Sequence, residues 1–168
     1  MSEARDGLFD FLGGLDIETR TVDHPPVFTV EEAQCHTRHL PGGHVKNLFL
    51  KDKKGGFWLV TCGDEQPVKV NALARLLGAP RFSFAGPDDL MAVLGVPPGS
   101  VTPLALINDK ERLVRPVLDE KMLKHELLNV HPLENTATTT IRSADLLRFV
   151  RALGYEPTIL DLDRTREG

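Results

Sequence analysis

A pair of apolar segments joined by a lysine and glycine turn constrains the fold most strongly. Residues 46–52 (KNLFLKD) and 57–62 (FWLVTC) are short and rich in aromatic and aliphatic side chains, and residues 53–56 (KKGG) separate them. Short apolar runs bounded by a glycine turn are typical of a β-hairpin. Because each run contains consecutive apolar residues, LFL in the first and FWLV in the second, we predict that this hairpin lies at the centre of a sheet.

The rest of the chain alternates short helical patterns with short strand patterns. Helices are predicted over residues 2–14, after the capping box of Thr29 and Glu32, and over residues 71–78, 87–94 and 144–153. Strands are predicted over residues 18–24, 102–108, 112–118, 127–131, 136–141 and 158–160. Of these, 102–108 and 112–118 would form a second hairpin around residues 108–110. This order predicts an α/β fold with a mixed, largely antiparallel sheet surrounded by short helices.

Length and composition favour one domain. With 168 residues, 41% of them hydrophobic, the chain can bury one sizeable core and is too short for two ordinary domains. We therefore expect residues 1–168 to form a single domain, with a flexible tail at residues 163–168. No apolar run approaches the roughly 20 residues of a membrane helix, and the first ten residues carry charges in place of an export signal. We expect a cytosolic protein with no membrane partner.

Charge is distributed unevenly along the chain. The formal net charge of −4 argues against binding nucleic acid by bulk attraction. Residues 36–81, in contrast, contain eight Lys and Arg side chains and three Asp and Glu side chains. Such a segment favours a partner that touches one face, such as a phosphate-bearing end, although a solvated lysine-rich hairpin explains the same pattern.

The two cysteines predict neither a disulfide framework nor a zinc site. Cys62 has no second Cys or His at ligand spacing. A loose cluster does surround the other cysteine and consists of Cys35, His36, His39 and His44. Adjacent Cys and His side chains rarely point at one ion, so we expect no metal and no cofactor.

Three segments carry side chains that could take part in chemistry. Lys46, followed by Asn47, begins an apolar strand, where its ammonium group could meet an anion or could only discourage edge pairing. The turn at residues 99–103 (GSVTP) could direct amides into a cleft to hold an oxyanion, or could be purely structural. His131 could orient a hydroxyl or an amine, although most lone histidines are satisfied by backbone groups.

The sequence contains no recognised nucleophile or nucleotide motif. G-x-S-x-G, the P-loop, the dinucleotide G-x-G-x-x-G and H-E-x-x-H are all missing. If the protein is an enzyme, its chemistry should therefore depend on a positioned water and a stabilised oxyanion, without an acyl-enzyme.

The order of several short segments resembles the family that includes the YbaK proteins and the inserted editing domain of bacterial prolyl-tRNA synthetases. The segments are residues 24–29 (HPPVFT), 44–50 (HVKNLFL), 99–103 (GSVTP), 119–120 (DE) and 129–133 (NVHPL), followed by 135–139 (NTATT). Within that family, the chain is most similar to free-standing alanyl-tRNA(Pro) deacylases of the ProXp-ala or PrdX type. The resemblance implies a mixed α/β fold and metal-free hydrolysis of the ester between alanine and the terminal adenosine of tRNA(Pro).

The resemblance also implies roles for individual residues. Lys46 would bind the phosphate or sugar edge of the terminal nucleotide, and Asn47 would fix the backbone beside it. His131 would hold the amine of the substrate or a ribose hydroxyl. The aminoacyl carbonyl would lie against the glycine turn, which consists of Gly99, Ser100, Val101, Thr102 and Pro103. The implied partner is the acceptor end of tRNA(Pro), with prolyl-tRNA synthetase as a further candidate.

Substrate size leads to one more prediction. Alanine is smaller than proline, so an editing pocket can exclude the cognate amino acid sterically. We predict a small apolar pocket with Val27, Phe28 and Val30 as walls, although ordinary core packing explains Val27 and Phe28 equally well. Three alternatives remain: a deacylase of Cys-tRNA(Pro) or Ser-tRNA, a non-catalytic module that binds tRNA or a synthetase, and a small-molecule hydrolase.

Overall fold

The structure, a computed structural model, describes residues 3–27 and 29–167, which form five α-helices and eight β-strands. The helices are α1 (Glu3–Gly14), α2 (Val30–Thr37), α3 (Val70–Leu77), α4 (Pro87–Leu94) and α5 (Ser143–Ala152). The strands are β1 (Thr19–Asp23), β2 (Gly43–Asp52), β3 (Phe57–Gly63), β4 (Phe82–Phe84), β5 (Val114–Asp119), β6 (Leu127–Val130), β7 (Ala137–Arg142) and β8 (Thr158–Leu160).

The strands form a mixed sheet in the order β1-β7-β6-β2-β3-β5-β8, and β4 also pairs with β2. β2 and β3 are antiparallel, so the predicted central hairpin is confirmed. β2 also joins the two halves of the sheet, because Gly43 and His44 pair in parallel with Leu128 and Asn129 of β6. The pairs β1–β7, β6–β7 and β2–β4 are antiparallel, and β3–β5 and β5–β8 are parallel. The predicted mixed α/β fold is therefore confirmed.

Both faces of the central hairpin are buried. Successive side chains of a strand point to opposite faces. Phe49 and Leu59 accordingly pack into a core cluster with residues of α1, α4 and α5, whereas Leu50 and Val60 pack into a second cluster with residues of α3. Because the faces are used for packing, the space for a ligand lies at the end of the hairpin, where β2 begins.

The predicted hairpin around residues 108–110 is wrong. In place of a strand over residues 102–108, Pro103–Asn108 forms a 3-10 helix. The Leu104 N–H donates to the Thr102 hydroxyl at 3.3 Å and caps this helix. Pro103 lacks an N–H for a sheet ladder and suits the first turn of a helix. β5 therefore pairs with β3 and not with the segment that precedes it.

The chain after β8 packs against the start of α3. Leu162–Glu167 forms a 3-10 helix in which Leu162 and Thr165 are fully buried. The Lys69 N–H, just before α3, donates to the Thr165 hydroxyl at 3.3 Å. Most of the segment predicted as a tail lies within this helix, and Gly168 lies outside the described residues.

Candidate active site

A pocket opens where β2 begins, between the glycine turn and the strands β6 and β7. Its volume is about 190 Å³, which is small beside the roughly 300–1,000 Å³ of typical ligand pockets. Much of its wall consists of small aliphatic and hydroxyl side chains, among them Val27, Val45, Val101, Val130, Thr37 and Thr138. The adjacent residues Lys46 and Asn47 meet Gly99 and His131 in this pocket, although these two lie far from them in the sequence.

Lys46 reaches the pocket from β2. Among the described residues, no carboxylate lies within ion-pair distance of its ammonium group, although Asp64 lines the same pocket. Lys46 faces Cys62 across the hairpin, and burial raises the pKa of the Cys62 thiol to about 12. This thiol therefore stays neutral, and the lysine charge remains available to an anionic group of a ligand.

Asn47 connects the hairpin to the glycine turn. Its Oδ1 accepts a hydrogen bond from the Thr61 hydroxyl at 2.7 Å, and its Nδ2 donates to the Val101 carbonyl at 3.1 Å. A hydroxyl that donates to the amide oxygen determines which end of the amide faces it. The amide nitrogen is consequently directed at Val101, and Asn47 holds the turn against β2.

The glycine turn supplies backbone donors. Gly99 has a φ of +91°, which residues with a side chain rarely adopt. Gly99 and Val101 line the pocket, and within the described part of the chain their N–H groups make no hydrogen bond. The Ser100 N–H donates to the Pro97 carbonyl at 3.1 Å and is not free. Unpaired amides are the donors that an oxyanion hole requires.

The structure separates the five predicted residues of this turn. Gly99 and Val101 lie on the pocket wall. Ser100, Thr102 and Pro103 are buried and do not line the pocket. The physical reason is that the chain enters the 3-10 helix directly after Val101 and turns into the core.

His131 lines the pocket and has one ring nitrogen hydrogen-bonded to the backbone. Its Nδ1 lies 3.3 Å from the Ala137 carbonyl, which can only accept, so Nδ1 carries the proton of the neutral ring. Burial lowers the pKa of His131, and the nearby His24 lowers it further, against an opposing effect of the Ala137 hydrogen bond. His131 is therefore a neutral imidazole whose Nε2 is an acceptor.

The predicted apolar wall is described in part. Val27 lines the pocket and is only 2% exposed. Its N–H donates to the Asn135 carbonyl at 3.3 Å, and the Asn135 Nδ2 donates to the Val27 carbonyl at 2.8 Å. Phe28 and the side chain of Val30 lie outside the described residues.

Two buried polar residues on the wall, Asn129 and Thr138, are missed by the sequence analysis. The Asn129 Nδ2 donates to the carbonyls of Pro41 at 2.9 Å and Gly43 at 3.2 Å, and its Oδ1 accepts from the Thr140 hydroxyl at 2.6 Å. The sequence does contain one signal for Asn129, which is a polar residue within a short apolar strand. If such a residue is buried, its hydrogen bonds must be satisfied.

Three members of the Cys and His cluster at residues 35–44 lie in different surroundings. His36 stacks on His24 with ring centroids 5.7 Å apart, His44 lines the pocket and Cys35 is exposed. Within the described residues, no group of three His, Cys, Asp or Glu side chains is arranged to hold a metal ion. The described helices are also all too short or too polar to cross a bilayer.

The fold and the pocket define the class of protein. A mixed sheet places a lysine, unpaired amides and a neutral histidine around a small cavity, which suits a ligand that has an anionic group and a carbonyl. Residues 24–149 match the profile of the aminoacyl-tRNA editing domain, and the chain belongs to this family. The resemblance predicted from the sequence is confirmed.

Several known proteins are similar to this chain. The chain is 45% identical, over 96% of its length and 89% of the relative, to prolyl-tRNA synthetase associated domain-containing protein 1 of Danio rerio. It is 32% identical, over 90% of its length and 93% of the relative, to the prolyl-tRNA editing protein ProX of Acetoanaerobium sticklandii. A crystal structure described as a candidate trans-editing enzyme for prolyl-tRNA synthetase shares the fold with a TM-score of 0.73 and 21% identity, covering 96% of this chain and 98% of that one.

Proposed function

We propose that this protein hydrolyses mischarged Ala-tRNA(Pro) in trans, at the acceptor end of the tRNA. Membership of the aminoacyl-tRNA editing family and the name of the ProX relative, a prolyl-tRNA editing protein, support a charged tRNA as the substrate. The observation that carries the choice of a small aminoacyl group is the pocket of about 190 Å³ with its valine walls.

The valine walls select by size. Val27, Val45, Val101 and Val130 line the pocket with branched aliphatic side chains. We expect these side chains to admit the methyl group of alanine and to exclude the larger ring of proline. A synthetic site that must tell two amino acids apart by one methylene gains only about 1–3 kcal/mol. A second site that admits alanine and excludes proline supplies the missing discrimination.

Three parts of the bound ester meet a complementary group in the pocket. The Lys46 ammonium pairs with the phosphate or sugar edge of the terminal nucleotide. The Gly99 and Val101 amides face the aminoacyl carbonyl oxygen, where negative charge develops during hydrolysis. His131 accepts from the substrate amine or from a ribose hydroxyl through Nε2.

Hydrolysis then proceeds by direct attack of water. The water oxygen bonds to the carbonyl carbon, and the carbonyl electron pair moves to the oxygen held by the amides. When the tetrahedral intermediate collapses, the bond to the ribose oxygen breaks, and this oxygen takes up the proton that the water has lost. The described pocket residues include no serine or cysteine, which favours a mechanism without an acyl-enzyme.

The first experiment compares hydrolysis of labelled Ala-tRNA(Pro), Pro-tRNA(Pro) and Ala-tRNA(Ala), each with and without EDTA. We expect rapid, chelator-insensitive release of alanine from tRNA(Pro) alone. Ser-tRNA and Cys-tRNA(Pro) belong in the same series, because preferential hydrolysis of either one would replace alanine as the substrate. If every ester survives, the protein does not deacylate these tRNAs, and other aminoacyl groups must be tested before a binding-only role is accepted.

Two lysine variants, one in the pocket and one remote from it, test whether the pocket performs the reaction. Lys46→Ala should lower kcat/KM by at least about 10-fold, because a charge-assisted contact is worth roughly 1.5–3 kcal/mol. Lys110→Ala removes an exposed lysine from the turn before β5 and should leave activity unchanged. If wild type and Lys46→Ala both bind charged tRNA and neither hydrolyses it, the protein is a binding module. Co-purification with prolyl-tRNA synthetase tests that candidate partner separately.

A further inference from the structure

His24, directly after β1, makes two side-chain hydrogen bonds. Its Nδ1 lies 2.9 Å from the Pro25 carbonyl, and its Nε2 lies 2.8 Å from the Thr138 hydroxyl. Because a carbonyl can only accept, Nδ1 carries the proton of the neutral ring and Nε2 is an acceptor. The Thr138 hydroxyl therefore donates its hydrogen to His24.

His24 is held in place by its ring and by its backbone. It stacks on His36 with centroids 5.7 Å apart and planes 7° apart. The His24 N–H donates to the Thr136 carbonyl at 2.9 Å, which ties the residue to the chain just before β7. The orientation that receives the Thr138 hydrogen is thus supported by contacts independent of Thr138.

Thr138 lies on β7 and on the pocket wall and is only 6% exposed. A hydroxyl has one hydrogen to donate and two lone pairs that accept. Since the hydrogen is committed to His24, Thr138 can accept a hydrogen bond from a ligand and cannot donate one.

A second acceptor of the same kind lies close by. His131 uses its Nδ1 proton on the carbonyl of Ala137, the neighbour of Thr138, and keeps Nε2 as an acceptor. The pocket therefore has donors on the glycine turn and acceptors beside β7. In an aminoacyl ester, the carbonyl oxygen only accepts, and the α-amino group is the donor next to it.

We propose that Thr138 binds the α-amino group of the aminoacyl ester and that His24 is a positioning residue that keeps the Thr138 hydroxyl in its accepting orientation. This inference rests on the proposed function and defines its substrate class more closely. The substrates are esters with a free α-amine, and acyl groups that lack this amine or carry it blocked are poor substrates.

The test compares two esters on the same tRNA(Pro). Alanyl and propionyl esters have nearly the same shape, and only the alanyl ester carries an amine. Thr138→Val removes the oxygen and preserves the shape of the side chain. We expect it to lower kcat/KM on the alanyl ester by about 10- to 100-fold and to change kcat/KM on the propionyl ester by less than about 3-fold.

Two further variants provide a control and a test of His24. Thr139→Val makes the same substitution one residue along β7, where the hydroxyl bonds to that of Thr21 at 2.8 Å, and should leave both esters unaffected. His24→Phe keeps a ring for the stack on His36 and removes both nitrogens. It should reduce the preference for the alanyl ester by a smaller factor than Thr138→Val, because the freed hydroxyl can still rotate.

Binding to the wild-type protein gives an independent measurement. The stable amide 3′-alanylamino-adenosine should bind at least about 10-fold more tightly than 3′-propionylamino-adenosine. Equal binding of the two, or an equal effect of Thr138→Val on both esters, overturns the amino-group subsite while hydrolysis by the wild type stands. If the wild type hydrolyses neither ester, the proposed function fails and this inference fails with it. Thermal melting checks the folding of each variant, and Thr138→Ala replaces Thr138→Val if the latter does not fold.

Discussion

At the residue scale, the chemistry of the pocket depends on which polar atoms are already hydrogen-bonded. His131 and Thr138 each use their only proton on a protein acceptor and so face a ligand as acceptors. Gly99 and Val101 keep their N–H groups for a ligand. The Lys46 ammonium is available to an anionic group of a ligand, because among the described residues no carboxylate forms an ion pair with it.

The lowered pKa of His131 predicts a specific loss of stability in acid. Burial lowers this pKa in the folded protein below the ordinary value of 6.5. The folded state therefore binds a proton less readily than the unfolded state. The contribution of neutral His131 to the free energy of unfolding is therefore complete above the ordinary pKa. It is lost as the pH falls through the lowered pKa of the folded state.

His131→Gln should accordingly weaken the fall in the free energy of unfolding between about pH 7.5 and about pH 5. Urea unfolding at a series of pH values measures this fall. His39→Gln changes an exposed histidine in the turn after α2 and should leave the pH dependence as in the wild type. Parallel curves for wild type and His131→Gln would contradict the buried neutral state of His131.

At the element scale, asparagine side chains hold the loops that frame the pocket. Asn47 joins β2 to the glycine turn, Asn129 joins β6 to the approach of β2, and Asn135 holds Val27. In two of these residues, a threonine hydroxyl donates to the amide oxygen and orients the amide. The site is thus built from the ends of several elements, each fixed by side-chain contacts to the backbone of another.

Two glycines with nearly the same positive φ can distinguish an effect on backbone strain from an effect on activity. Gly99 and Gly55 have φ values of +91° and +89°, and Gly55 lies in the distant hairpin turn with open space around it. Replacing either one by alanine should lower the free energy of unfolding by about 1–2 kcal/mol, because a side chain disfavours this conformation. Only Gly99→Ala should also lower kcat/KM, since it displaces the Gly99 and Val101 amides. Denaturant unfolding and deacylation of Ala-tRNA(Pro) measure the two effects, and equal activity of both variants would argue against an oxyanion role for the turn.

At the scale of the whole molecule, an acidic protein carries a basic hairpin that begins at the pocket. The net charge is −4, while Lys53 and Lys54 are exposed at the tip of the β2–β3 hairpin. Lys51 is different, because its ammonium lies 3.3 Å from a carboxylate oxygen of Asp89. A strand rises by about 3.3 Å per residue, so the tip of the hairpin lies roughly 20 Å from Lys46 along β2. We expect the acceptor stem of a bound tRNA to extend over this distance.

We therefore expect Lys53→Ala/Lys54→Ala to weaken binding of tRNA(Pro) with little change in kcat. If both lysines contact phosphates, the magnitude of the slope of log affinity against log salt should decrease by roughly 1.4–1.8. Binding titrations at several salt concentrations measure this slope. Lys110→Ala/Arg142→Ala removes the same charge from other exposed positions and should leave the slope unchanged. An unchanged slope in the hairpin variant would remove this surface from the tRNA contact.

Much of the fold could be predicted because its signals are local. The central hairpin, α4 at Pro87–Leu94 and β8 at Thr158–Leu160 agree with the sequence patterns. One of the two hydrogen bonds of the predicted capping box is present, because the Glu32 N–H donates to the Thr29 hydroxyl at 3.1 Å. The segment 102–108 was not predictable in the same way. An apolar run becomes a strand only if a neighbouring strand pairs with it, and β3 pairs with β5 instead.

The sequence by itself determined the local elements, the family and several pocket residues, because caps, turns and motifs act over a few consecutive positions. Only the tertiary structure decided which of these groups a ligand can meet. Ser100 and Thr102 lie beside Gly99 in the chain and are buried, whereas Thr138 arrives at the pocket from a distant strand. The physical reason is that burial and hydrogen-bond partners determine whether a polar atom is free to meet a ligand. These partners are often distant in the sequence, as His24 is from Thr138, whose hydroxyl donates a hydrogen bond to it.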